Sequence, residues 1–231
     1  MNAWQHQARS IGWLIENDLR REWRAPRALP AMLLVGAVLV LLIAAQLDLP
    51  AAQRPSIAAG LYWLTVFFAG TLTLERSFAS EADDGCWQAL RLYPLSSGSV
   101  FLAKLTVNCV ALFALEAVLA VALTIFAGAP LVSDPGRFAA LAIPATLGYA
   151  SLGTLLSALT AGLAQRGRSG LLALLVLPLA SPVVLAAAEA TRVLLHDESL
   201  DGWWRCVQLL SLFAVMFTTL GLMLFEPLTE E

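Results

Sequence analysis

Apolar runs as long as a lipid bilayer is thick follow one another along this chain, and no other feature restricts its fold so severely. Residues 28–47 carry no charged side chain, and neither do residues 56–74. A hydrocarbon core of about 30 Å takes roughly 20 residues of helix, because each residue advances about 1.5 Å. Lipid offers the backbone no hydrogen bonds, so uninterrupted runs of this length fold as helices. Four more runs complete a set of six. Residues 100–128 can be capped by Ser99 and are interrupted by Lys104 near the entrance and by Glu116 inside. Residues 138–164 are rich in Gly, Ala and Thr, which permit close helix packing. Residues 170–190 hold Pro178 and Pro182 on one face, a pair expected to bend or break the helix. The last run ends near Phe225 and starts at Trp203 and Trp204, expected as an interfacial aromatic pair. Of the 231 residues 59% are hydrophobic and 13% charged, against about 45–50% and about 25% in soluble domains. The expected fold is an all-α integral membrane protein with six transmembrane helices in a single domain, residues 1–231.

Two polar segments stand out from this pattern. Residues 1–27 place Trp4, Ala8, Ile11, Ile15 and Leu19 on one helical stripe, with Arg9, Arg20 and Arg24 away from it. That is the pattern of a helix lying in the membrane interface. Asp18 and Glu22 fall on its apolar side, where the pattern degrades. The second segment, residues 74–104, reads LERSFASEADDGCWQALRLYPLSSGSVFLAK and contains Glu75, Arg76, Glu81, Asp83, Asp84, Arg91 and Lys104. An ionised side chain at mid-bilayer costs about 3 kcal/mol, so residues 75–99 belong in water. Within them Asp83, Asp84 and Gly85 precede residues 86–93, where Trp87 and Leu90 share a helical face before Pro94 ends it. A short amphipathic helix outside the membrane is indicated, with an ordinary solvated loop as the alternative.

The basic residues orient the chain and exclude several functions. Ten Lys and Arg fall in the N-terminal segment, the loop after the second run and the link at 165–169, against Arg54, Arg137, Arg192 and Arg205 elsewhere. The positive-inside rule then puts both termini and residues 75–99 in the cytoplasm. The one lysine, Lys104, follows Phe101, Leu102 and Ala103, so the chain has no phosphate-binding P-loop. A net charge of −3 argues against nucleic acid as a partner. Cys86, Cys109 and Cys206 are too scattered for a disulfide framework or a zinc site. His6 and His196 are expected on opposite sides of the membrane, and no triad or HExxH occurs, so no catalytic or metal-binding residue is expected. Glu116 lies twelve residues beyond Lys104, about 18 Å along a helix and so near mid-bilayer. It is a candidate translocation residue, or else a neutral carboxyl hydrogen-bonded to Ser, Thr or backbone.

Residues 74–104 resemble the corresponding stretch of the heme exporter protein B family, the permease subunit of the cytochrome c maturation transporter. The likeness rests on Leu74, Glu75, Arg76, Phe78, Asp84, Gly85, Leu90, Pro94 and Lys104. A second stretch, GLAQRGRSGLLALLVLPLASPVVLAAAEAT, resembles the same family through Arg166, Gly167, Gly170, residues 175–179 and Pro182. The chain departs from the family pattern at Asn108 and Cys109, and at Leu115 and Glu116, where a His-Trp pair and then a proline are usual. Gln88 stands where glutamate is common. The resemblance implies an ABC-2-type permease of the bacterial inner membrane, surrounded by lipid and prone to self-association. Its implied partners are a separate ATP-binding cassette subunit and other cytochrome c maturation membrane subunits. Heme would be cargo, exported or released with a heme-loaded chaperone, and not a bound cofactor: six-coordinate heme needs two axial ligands in one pocket. Only His196 with Cys206, or His196 from two copies, could share a side, so the chain is expected to hold no heme by itself. Glu75, Arg76, Asp84, Gly85, Trp87, Leu90 and Pro94 are then expected to couple to the ATPase. Lys104, Glu116, Arg166, Pro178 and Pro182 are expected to serve structure or translocation. A permease for another hydrophobic cargo and a non-transporting scaffold of a heme-handling complex are the alternatives.

Overall fold

A computed structural model describes residues 12, 15, 16, 18, 20, 30, 34–38, 41, 54–77, 97–127, 134–164, 171–196 and 200–230. Five helices make up most of these: α1 (Arg54–Arg76), α2 (Ser97–Ala127), α3 (Pro135–Ala164), α4 (Leu171–Leu195) and α5 (Leu200–Glu230). The described residues contain no strand, and all five helices are long and apolar enough to cross a membrane. They match the second to sixth expected spans. Of the first, Pro30, residues 34–38 and Leu41 are described and are helical. Gly36 packs there against Leu115 and Leu119 of α2 and Thr65 of α1.

Helix ends depart from the sequence reading in instructive ways. α2 begins at Ser97, so the expected cap Ser99 is already inside it and buried. α3 begins three residues early, because Asp134 Oδ1 accepts the Arg137 backbone N–H at 3.1 Å and Pro135 occupies the first helical position. An acidic cap followed by proline is a strong start signal. α4 runs to Leu195, beyond the expected end near residue 190. Pro178 and Pro182 do not break it, since both lie inside one continuous helix and face outward. Pro182 has no N–H for the Pro178 carbonyl, four residues back, and the Ser181 hydroxyl donates to that carbonyl instead at 2.8 Å.

α3 sits at the centre of the bundle and touches every other described long helix. Its closest neighbour is α5, which its small residues explain. A Cβ on Gly148 would lie 3.3 Å from the backbone of Ala214, and Ser151 Oγ meets Thr218 Oγ1 at 2.8 Å. In lipid such close approach and polar contact hold helices together, because apolar burial alone gains little there. Gly221 of α5 likewise receives the ring of Phe101 from α2, which lies 5.7 Å from the ring of Phe225 at a tilt of 48°. α2, α4 and α5 turn Ile125, Leu174, Leu185 and Leu212 outward, each about 70% exposed, a surface suited to lipid and not to water. Of the expected interfacial pair, Trp204 is exposed whereas Trp203 is buried against it.

Candidate functional site

Polar side chains inside this bundle gather along the seam between α1, α2 and α3. Near the middle, Glu116 is 4% exposed and accepts a hydrogen bond from the Thr146 hydroxyl of α3 on its Oε1. The Tyr62 hydroxyl of α1 donates to the Glu116 backbone carbonyl at 3.2 Å. One buried position on α2 therefore binds both neighbouring helices. A turn further along α3, the Tyr149 hydroxyl donates to the Phe67 carbonyl of α1 at 2.8 Å. Beside Tyr62 on α1, Trp63 Nε1 donates to Thr191 Oγ1 of α4 at 2.8 Å.

The end of the bundle that leads into residues 78–96 is held by two residues of α2. Asn108 is buried, and its Nδ2 donates to Thr154 Oγ1 of α3 at 2.8 Å and to Ser77 Oγ, just past α1, at 3.1 Å. Four residues earlier, Lys104 Nζ lies 2.8 Å from Asp18 Oδ2, with side chains only 11% and 16% exposed. This explains why Asp18 stood on the apolar stripe of the N-terminal segment: its carboxylate meets a lysine of the bundle. On the exposed side of the same segment Arg20 pairs with Glu16 at 2.6 Å.

The sequence-derived candidates distribute unevenly over this structure. Glu75 and Arg76 form the last residues of α1 and lead directly to Ser77, whose N–H closes a turn on the Leu74 carbonyl at 3.1 Å. Lys104 and Glu116 share α2 but lie twelve residues apart and belong to separate polar groups. Pro178 and Pro182 stand on the outward face of α4, apart from that seam. Asp84, Gly85, Trp87, Leu90, Pro94 and Arg166 lie outside the described residues, as does Cys86. The partners Asp18, Thr146, Thr154, Ser77 and Thr191 were not among the candidates. His196 closes the end of α4, where its N–H reaches the Arg192 carbonyl at 3.1 Å. Among the described residues no three His, Cys, Asp or Glu side chains converge on a metal-sized site.

The family described as CcmB protein matches residues 9–225. The chain is similar to Heme exporter protein B of Rhodobacter capsulatus, 31% identical over 193 residues that span 78% of this chain and 81% of that protein. It is also similar to Heme exporter protein B of Pseudomonas aeruginosa, 27% identical over 189 residues, 82% of this chain and 83% of that one.

Proposed function

The chain belongs to the CcmB family, and from that premise we propose that it is the membrane permease subunit of an ABC transporter in cytochrome c maturation. The observation that carries this reading is the extent of the family match, residues 9–225, over a bundle whose helices are built to cross a bilayer. Heme is the cargo that the names of the relatives suggest. Either heme itself is exported, or a heme-loaded chaperone is released on the far side.

ATP hydrolysis belongs to a separate subunit on this reading. The only lysine of the chain is engaged by Asp18 and has no glycine-rich phosphate loop around it. Residues 75–99 are the contact for that subunit, with Trp87 and Leu90 as apolar anchors, Asp84, Gly85 and Pro94 shaping their helix, and Glu75 and Arg76 at its root. Arg166 lies on the same side, in the link between α3 and α4. Both termini are cytoplasmic in this reading, the membrane is the bacterial inner membrane, and residues 1–231 form one membrane domain. Other maturation subunits or a second copy cover part of the outward apolar faces, with Pro178 and Pro182 of α4 as the structural feature of one such face.

Complementation tests this proposal. In a bacterium deleted for its own member of the family, expression of this chain should restore covalently bound heme in c-type cytochromes, provided its ATPase partner is supplied. Full restoration with a partner unable to hydrolyse ATP would favour the scaffold reading instead.

A further inference from the structure

Lys104 and Asn108 are four residues apart and therefore lie on one face of α2, about 6 Å apart along the axis. Between them they reach three separate pieces of the chain. Lys104 holds Asp18 of the N-terminal segment at 2.8 Å. Asn108 holds Ser77, where α1 has ended, at 3.1 Å and Thr154 of α3 at 2.8 Å. Leu74, fully buried, packs where a Cβ on Gly153 would stand, 2.3 Å away, so the last turn of α1 is also keyed into α3 beside the Asn108 contact. An amide with two hydroxyl partners and a nearly buried ion pair are unusual in apolar surroundings, because each charge or amide is costly there without its partner.

We propose that Lys104 and Asn108 form a clamp that makes the N-terminal segment, the end of α1 and the central helix α3 move as one body. Residues 78–96 begin directly after Ser77, so a force applied to them reaches α3 through the clamp and is not absorbed by fraying of the last turn of α1. The N-terminal segment belongs to the same body through Asp18, which gives it a mechanical role besides membrane anchoring. The transmission step rests on the permease reading above; the clamp itself does not.

Charge exchange tests it in the full chain, with Cys86, Cys109 and Cys206 replaced by Ala and Ile15→Cys introduced as a reporter on the half-buried side of the N-terminal segment. Asp18→Lys or Lys104→Asp should each raise the maleimide labelling rate of the reporter about tenfold, as expected when a local contact opens more readily. The double exchange should return it to within about twofold of the parent, since the pair is restored with its sign reversed. Cytochrome c maturation should fall in each single variant and recover in the double one. Asn108→Leu, which keeps the volume but removes the amide, should insert normally and lose maturation while the partner's ATP turnover continues. Labelling that is unchanged in both single variants, or not restored by the double exchange, overturns the clamp. Full maturation in Asn108→Leu and in both single variants overturns its transmission role. If the parent chain itself supports no maturation, the permease reading fails, and the labelling rates still decide whether the clamp exists.

Discussion

Replacing Glu116 separates a structural carboxyl from a translocating one. Its Oε1 takes the Thr146 hydroxyl inside the bundle, and its backbone carbonyl takes the Tyr62 hydroxyl. Gln offers the same acceptor oxygen at nearly the same volume, so Glu116→Gln should change stability by less than about 0.5 kcal/mol. Leu offers none. Interhelical hydrogen bonds in membranes are worth about 0.6 kcal/mol on average and about 1.7 at most, so Glu116→Leu should cost roughly that much. Thr146→Val should cost about 1 to 3 kcal/mol, since it strands a buried carboxyl without its donor. The double variant should be less damaged than the sum of the two, with a coupling of about 1 kcal/mol. Unfolding of the purified chain in detergent, followed by tryptophan fluorescence, measures all four corners of the cycle. The reasoning fails if Glu116→Gln is as destabilised as Glu116→Leu, or if the coupling vanishes. It also fails if Glu116→Gln folds normally but abolishes cytochrome c maturation, because a proton-carrying role would then outweigh the hydrogen bond.

Three further outcomes are expected. Gly221→Ala would set a Cβ 2.1 Å from Phe101 Cζ, costing about 1 to 3 kcal/mol by overpacking; Phe101→Leu in the same chain should recover part of the loss, and a lack of any rescue would contradict the contact. A membrane-impermeant thiol reagent should label Cys86 in inverted vesicles, which expose the cytoplasmic face, and not in intact spheroplasts; labelling in spheroplasts would reverse the proposed orientation. The chain purified without partners should carry far less than stoichiometric heme; stoichiometric low-spin heme that disappears in His196→Ala would show that it holds the cargo itself.

Lipid as solvent explains why the spans were legible. It demands length and apolarity together, and that demand is visible in any run such as residues 138–164 without knowledge of its neighbours. Ends were less visible, because the apolar run of α4 fades at Glu189 and its expected end fell at residue 190, before Arg192. Arg192 instead stays within α4 by reaching back to Glu189 at 2.8 and 2.9 Å, and Thr191 is buried against Trp63. The start of α3 is readable in Asp134 and Pro135, whereas the apolar run by itself puts it at Phe138. Pro178 and Pro182 suggested a break because the rule for water-soluble helices ignores a neighbouring hydroxyl such as that of Ser181.

Cross-bundle contacts were hidden for a different reason. α2 is apolar on every side, so nothing in its periodicity tells which way Glu116 or Asn108 points. Asn108 meets Thr154 across 46 residues and Trp63 meets Thr191 across 128, pairings that depend on helix order and rotation. Asp18 was hidden in the same way: the sequence shows it, like Glu22, only as an acid that degrades the apolar stripe, and its partner Lys104 lies 86 residues away on α2.

The central claim is that this chain is driven by a separate ATPase through residues 75–99, and affinity purification with paired turnover measurements tests it most directly. The tagged chain should bring down an ATP-binding cassette subunit from membranes. Trp87→Ala together with Leu90→Asp should abolish that recovery, or leave ATP turnover without cytochrome c maturation, while the chain still inserts. Native recovery of the ATPase and native maturation in the doubly substituted chain would contradict the account.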